Sequence, residues 1–97
     1  MFARVASFEG GDSERLRQMN EEAMASGEMN PPAGIKRVLM LDDTGANKRL
    51  FISLFDSREA IEAAEARFES MGDEIPEDVR GRRTSVDVYE VSLDQEV

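Results

Sequence analysis

The chain has 97 residues, 40% hydrophobic and 34% charged, which is the size and composition of one globular domain spanning residues 1–97. Its 21 acidic and 12 basic residues give a net charge of −9, and this balance repels phosphate backbones and argues against nucleic-acid binding. The absence of Cys and His excludes disulfides, a thiolate nucleophile and the commonest zinc and haem ligands.

The first half of the chain predicts a strand, a helix and a second strand. Residues 1–8 alternate between two largely apolar faces, which is typical of a central strand covered on both sides. Asp12 can cap a helix over residues 12–27, where apolar side chains form one helical stripe and a glycine provides the stop. Two prolines predict a loop at 30–34, and alternation resumes over 35–41.

The second half predicts a strand, a helix and a last strand. A turn cluster joins residues 35–41 to a strand at 50–55, which makes a hairpin. The second helix covers 56–72, with an acidic cap at Asp56 and a glutamate three residues later, as in a capping box. Its buried stripe comprises Ala60, Ile61, Ala64, Phe68 and Met71. Its exposed acidic flank comprises Glu59, Glu62, Glu65 and Glu69. A polar connection over 73–83 leads to a strand at 85–93 and a short tail.

This order of elements, β-α-β-β-α-β, predicts an α+β fold of the ferredoxin-like, split βαβ type. The antiparallel sheet then has the order 4-1-3-2, with both helices on one face. We expect the helices to pack on the small and β-branched side chains of Ala3, Val5, Ile52, Leu54, Val86 and Val88. The opposite face would carry Phe2, Arg4, Phe8, Phe51, Ser53, Phe55 and Tyr89.

An open face this rich in aromatic residues exceeds the apolar patch that a soluble monomer tolerates, so it needs a cover. A second copy of the chain is the simplest cover, and we therefore expect a homodimer that pairs two sheets through these faces. The substitution Phe51→Asp is expected to dissociate it.

Three passages resemble the dimeric α+β barrel superfamily and, within it, the antibiotic-biosynthesis-monooxygenase-like domains: MFARVASFEGG, PPAGIKRVLML and LFISLFDSREAIEAAE. The resemblance covers nearly the whole chain. It implies that two sheets pair face to face into a barrel. It also implies a small-molecule pocket, either between each sheet and its own helices or in the barrel lumen.

The chain departs from this family at two positions. Cofactor-independent quinone-forming members place an Asn on the third strand and a Trp just before the second helix, and the matching positions here are Phe51 and Phe55. Haem-degrading members use a His ligand, and this chain contains neither His nor Trp. The two best-known activities of the family therefore each lack a residue that they need here. We expect neither a cofactor nor a metal.

Several residues are candidates for ligand binding, and each has a structural alternative. Arg4 can fix an anionic or enolate-like oxygen, or it can pair with Asp87 or Glu90 of the last strand. Tyr89 and Ser53 can hydrogen-bond a ligand carbonyl, or Tyr89 can lie in the dimer interface with its hydroxyl at the edge. The aromatic rings of Phe51 and Phe55 can stack on a flat ligand, or they can form the interface core.

Two further segments have competing interpretations. The arginines of residues 80–83 can bind an anion or cover a pocket mouth, or they can neutralise the acidic residues at 73–78. Gly10, Gly11 and Asp12 can cradle an anion before the first helix, but a turn followed by a cap also explains them.

The sequence thus predicts a monooxygenase-like domain that binds a small hydrophobic molecule. Cofactor-independent oxygenase or isomerase chemistry, with Arg4 as anchor and Tyr89 as proton donor, is one form of this function. A structural dimerisation or ligand-sensing module without catalysis is the alternative. No apolar run is long enough to cross a bilayer, and the first residues lack the signal-peptide pattern. We therefore expect a cytoplasmic protein that contacts neither membrane nor nucleic acid.

Overall fold

The computed structural model describes residues 1–27 and 32–97, without the side chains of residues 71–73. Its elements follow the predicted order, with one short helix added inside the last connection. They are β1 (Phe2–Glu9), α1 (Ser13–Ser26), β2 (Ile35–Asp43), β3 (Lys48–Phe55), α2 (Arg58–Glu74), α3 (Glu77–Arg80) and β4 (Arg82–Glu90). The predicted loop at 30–34 begins outside the described residues.

All four strands form one antiparallel sheet in the order β2-β3-β1-β4. This is the predicted order 4-1-3-2 read from the other edge, so the ferredoxin-like fold is confirmed. The strands β1 and β3 are central, as their two-sided apolar pattern indicates. Both β2 and β3 extend further towards their turn than the sequence predicted, and β4 begins at Arg82 rather than at residue 85.

Side-chain caps fix where the two long helices begin. Asp12 accepts a hydrogen bond from the Arg15 backbone N–H at 3.1 Å, as predicted for α1. At α2 the cap is Ser57 rather than Asp56, because Arg58 is the first helical residue and the Ser57 hydroxyl accepts from the Ala60 N–H at 3.1 Å. The predicted cap, Asp56, instead forms an ion pair with Lys36, with Nζ 3.2 Å from Oδ2.

The aromatic side chains of β1 and β3 pack on the helices, so the predicted assignment of the two faces is wrong for these strands. For Val86 and Val88 of β4, which were expected to face the helices, it is confirmed. The core consists of Phe55 from β3 and Ile61, Ala64 and Phe68 from α2. Half-buried apolar residues surround it: Phe2, Ile35, Phe51, Ala60 and Val88. The helix contributes the small side chains and the sheet contributes most of the large ones, which reverses the size matching that the prediction assumed.

The other sheet face is apolar and partly exposed. Ala3 of β1 is directly opposite Tyr89 of β4, so Tyr89 lies on this face. The prediction that Tyr89 shares a face with Arg4 is wrong. Its other apolar residues are Val5, Leu39, Leu41, Leu50, Ile52 and Leu54. The exposed fractions of Tyr89, Leu41 and Leu50 are 57%, 49% and 36%.

Within the described residues, no helix combines the length and the apolar character that spanning a bilayer would require.

Candidate ligand-binding cavity between the sheet and its helices

A cavity of about 430 Å³ lies on the helix side of the sheet. Its apolar lining comes from every layer of the fold and comprises Ala6, Phe8, Leu16, Met40, Phe51, Phe68 and Ile75. Its polar lining comprises Arg4, Asn20, Arg49, Glu69, Glu77, Arg80, Arg82 and Arg83. We call the exposed members of this lining the rim: Glu69, Glu77, Arg82 and Arg83.

Arg4 is a buried cation at the centre of the sheet, and α2 supplies its partners. Its Nε donates to Glu65 Oε1 at 2.9 Å and its Nη2 donates to Oε2 at 3.3 Å. The central guanidinium carbon lies 4.2 Å from the centroid of the Phe68 ring, which adds a cation–π contact. The expected alternative partners, Asp87 and Glu90, are wrong. Asp87 is opposite Val5 on the other face, and Arg4 bonds Glu65 although Glu90, opposite Phe2, shares its face.

Arg49 is a second buried arginine, and it holds together three segments beside the cavity. Its Nη1 donates to the carbonyls of Gly10 at 2.8 Å and Arg80 at 2.7 Å. Further bonds go to side chains of β2, the hairpin turn and α1, namely Asp42, Asn47 and Ser13. Because its donors are used within the protein, Arg49 is a structural residue of the cavity wall.

The arginines of residues 80–83 lie at the cavity, as one of their two interpretations predicted. Arg83 Nη1 donates to Glu69 Oε1 at 2.9 Å, and Arg82 Nη2 lies 3.6 Å from Glu9 Oε2. Arg80 Nε donates to the Ile75 carbonyl at 3.2 Å. These bonds join the start of β4 to α2 and β1, and the end of α3 to the residue that follows α2. They involve Glu69 and Glu9, and not the described carboxylates of Glu74, Glu77 and Asp78, while the Asp73 side chain lies outside the described residues.

Glu69 is the carboxylate on which Arg83, Arg4 and Arg80 act. The hydrogen bond and the charge of Arg83 lower the pKa of Glu69 below its ordinary value, and Arg4 and Arg80 lower it further. Arg83, Arg4 and Arg80 line the same cavity as Glu69, so positive charge surrounds this carboxylate.

The structure brings some of the predicted site residues together and separates others. Arg4 and Phe51 line the cavity. Phe55 is fully buried in the core behind it. Ser53 is also fully buried, and its hydroxyl has no hydrogen-bond partner among the described residues. Tyr89 lies on the opposite sheet face, so it cannot act with Ser53 on one ligand carbonyl.

Sequence reasoning missed Arg49 and the role of Glu65. Arg49 follows a turn and precedes an apolar strand, where an arginine normally lies in solvent. Its one sequence signal is Asp42, its partner across the predicted hairpin. Glu65 belongs to the acidic flank of α2 and looked solvated. Its contact with Arg4 joins residues 61 positions apart, which no local pattern can reveal.

Comparison with solved structures supports the fold. No family model matches this chain, and no curated protein matches it. Among solved structures, a mutant of MhuD with two manganese protoporphyrin IX molecules bound per active site is similar, with a TM-score of 0.60 and 15% identity over 100% of both chains.

A second solved structure, from Deinococcus radiodurans and assigned to the antibiotic biosynthesis monooxygenases, has a TM-score of 0.59 and 14% identity. The similarity covers 100% of this chain and 98% of the chain in that structure. At these identities the likenesses establish the fold. They confirm the resemblance to antibiotic-biosynthesis-monooxygenase-like domains at the level of the fold.

Proposed function

We propose that this monooxygenase-like domain binds a small, mainly apolar molecule in the cavity between the sheet and its helices. The observation that carries the proposal is the cavity itself, whose volume of about 430 Å³ lies within the range of small-molecule sites. Phe51 and Phe68 provide aromatic walls that meet edge to face, with ring centroids 6.5 Å apart. Such walls suit a flat ligand, and the few polar groups can orient it.

The neighbouring MhuD structure supports a ligand on this fold, because metalloporphyrins occupy its active site. The residues of this chain do not fit a haem. The chain has no His or Cys, and its single Tyr lies on the other sheet face. Met40 lines the cavity, but methionine ordinarily ligates haem together with a histidine. We therefore derive no step through a haem.

Cofactor-independent oxygenase or isomerase chemistry is a narrower proposal with less support. Its expected proton donor, Tyr89, is on the wrong face, and its expected anchor, Arg4, is already paired with Glu65. Glu69 lines the cavity, but its lowered pKa makes it a weaker base than an ordinary glutamate. Binding without an assigned catalytic residue is therefore the function that the geometry supports best.

We further propose that the domain forms a homodimer through the sheet face that bears Leu41, Leu50 and Tyr89. These side chains are apolar and substantially exposed, and strands β1 to β4 all contribute to the same face. A second copy would cover them by an isologous contact. This proposal moves the predicted interface from the aromatic face to the opposite one. A cytoplasmic location stays a prediction.

A cavity-blocking substitution tests the ligand-binding proposal. Asn20 of α1 lines the cavity and is only half-buried, so Asn20→Trp should fill the space without disturbing the core. The control is Gln18→Trp, at an exposed position of the same helix. Both variants and the wild type are titrated with the neutral apolar dye Nile red, and the rise in its fluorescence is followed.

We expect one saturable dye site per chain in the wild type and in Gln18→Trp. We expect at least about a tenfold weaker affinity in Asn20→Trp, the equivalent of about 1.4 kcal/mol. Equal affinity in all three proteins would contradict the proposal. Native mass spectrometry of freshly purified protein then reports any retained ligand and the number of subunits together.

A further inference from the structure

The cavity carries a charge opposite in sign to that of the chain. Among the residues that the structure describes, five arginines and two glutamates line it. This described lining therefore has a formal charge of +3, whereas the whole chain has −9. A partly enclosed cluster of one sign concentrates ligands of the other sign.

The fold uses some of these arginines and leaves others available. Arg49 is engaged by backbone and side-chain acceptors, and Arg4 is held by Glu65. Arg80 is different, because only its Nε has a partner, the carbonyl of Ile75. Among the described residues, its two terminal nitrogens have none. Arg80 therefore presents the paired donors that recognise a planar anion.

Glu69 shows that a carboxylate fits beside the arginines of the cavity. Glu69 places its carboxylate 2.9 Å from Arg83 Nη1, and its side chain is 57% exposed. An ion pair with this much exposure contributes little to stability. A ligand carboxylate can therefore take the place of Glu69 on Arg83, or lie beside it and accept from Arg80.

We propose that the cavity selects molecules that carry a carboxylate on an apolar ring system. Arg80 and Arg83 bind the carboxylate, and the ring system packs against Phe51 and Phe68. This inference rests on the proposed ligand-binding function and names the class of ligand. The apolar walls favour the ring system, while the surplus of arginines favours its acid over a neutral analogue.

A matched pair of probes tests this selection. Naphthoic acid and naphthamide share one ring system and differ in charge. Each is used to displace Nile red from the wild type, Arg80→Gln, Arg83→Gln and Arg17→Gln at low ionic strength. Arg17 is an exposed residue of α1 outside the cavity, so its substitution makes the same change in net charge. Circular dichroism checks that each variant folds.

We expect the wild type and Arg17→Gln to prefer the acid by about tenfold or more, as charge-assisted bidentate bonds allow. We expect this preference to fall to about threefold or less in Arg80→Gln or Arg83→Gln. If Arg80→Gln does not fold, Arg83→Gln, whose side chain is exposed, provides the same measurement.

Equal affinity for acid and amide in the wild type would overturn the inference and leave the proposed function intact. A preference that survives in both Arg80→Gln and Arg83→Gln would also overturn it. If Nile red does not bind the wild type at all, the proposed function fails and this inference falls with it.

Discussion

Arg4 of β1 and Glu65 of α2 form a doubly hydrogen-bonded ion pair that joins the centre of the sheet to the helix layer. The two partners are unequally buried, because the Arg4 side chain is 3% exposed and the Glu65 side chain is 42% exposed. Removing Arg4 should therefore change the unfolding free energy by a different amount from removing Glu65. A glutamate left alone can be hydrated, whereas a buried arginine left alone cannot.

Substitutions at Glu65 and at Arg4 should reflect this difference in burial. Glu65→Ala removes both hydrogen-bond acceptors of the Arg4 guanidinium and should cost about 1–3 kcal/mol of unfolding free energy. Arg4→Met keeps an unbranched side chain beside Phe68 and should cost less, under about 1.5 kcal/mol. Urea unfolding measures both, with the exposed helix residue changed in Glu62→Ala as control. A larger cost for Arg4→Met than for Glu65→Ala would contradict this reasoning.

Ser53 gives a prediction of the opposite sign. Its hydroxyl is fully buried without a partner among the described residues, which ordinarily costs stability. Ser53→Ala should therefore raise the unfolding free energy of ligand-free protein by about 1 kcal/mol. The matched change Ser57→Ala removes a helix cap and should lower it by about 1 kcal/mol. A loss of stability in Ser53→Ala would mean that the hydroxyl has a partner.

Gly81 and Gly10 both have positive φ, at 84° and 79°, but their surroundings differ. A Cβ atom at Gly81 would lie 2.7 Å from the carbonyl oxygens of Glu9 and Gly10, whereas one at Gly10 would meet nothing within 4 Å. Gly81→Ala should therefore cost about 2–5 kcal/mol, from backbone strain together with overpacking. Gly10→Ala should cost only the strain, about 1–2 kcal/mol. Thermal melting compares the two, and equal losses would be inconsistent with the close packing at Gly81.

The proposed dimer predicts which apolar residues tolerate a charge. Leu41→Glu, on the open sheet face, should convert the protein to a folded monomer in sedimentation velocity. Met24→Glu should leave the dimer intact, because Met24 is 69% exposed on α1, away from that face. Phe51→Asp, which the sequence pattern nominated as the dissociating change, should instead unfold the chain, since Phe51 packs against the core. A dimer that persists in Leu41→Glu would rule out this interface.

Glu69 predicts a pH dependence. The hydrogen bond from Arg83 lowers the folded-state pKa of Glu69 below that of the unfolded chain, about 4.3. Its contribution to stability is therefore complete above that pH and disappears as the pH falls through the lowered pKa. The melting temperature of Glu69→Gln should fall less than that of the wild type when the pH is lowered from about 6 to about 3. Glu62→Gln, at an exposed position of the same helix outside the cavity, is the control for the change in charge.

For β1 and β3 the strand pattern predicted which residues share a sheet face, but it could not say which face meets the helices. Phe51 and Phe55 were correctly grouped on β3, and both β1 faces are apolar enough to be buried. The choice depends on the sizes of side chains in the opposing layer, and α2 supplies the small residues Ala60 and Ala64. Helix periodicity had placed those two residues in the buried stripe, where the structure has them.

Cross-strand register explains the misplacement of Tyr89. Alternation within β4 separates Tyr89 from Val88, but only pairing with β1 shows that Val88 is opposite Arg4. A shift in register between Ser7 and Phe8 then brings Arg83 opposite Phe8 on the cavity side. Arg4, Arg83 and the strand β4 can all be recognised in the sequence. A shift in register has no local signature there.

Arg80 serves the protein through two separate parts of the residue. Its backbone carbonyl accepts a 2.7 Å hydrogen bond from Arg49, while its side chain lines the cavity. Every amino acid has that carbonyl, so the bond from Arg49 does not depend on which side chain occupies position 80. Natural variants could therefore exchange this side chain and acquire new chemical preferences while that bond stays in place.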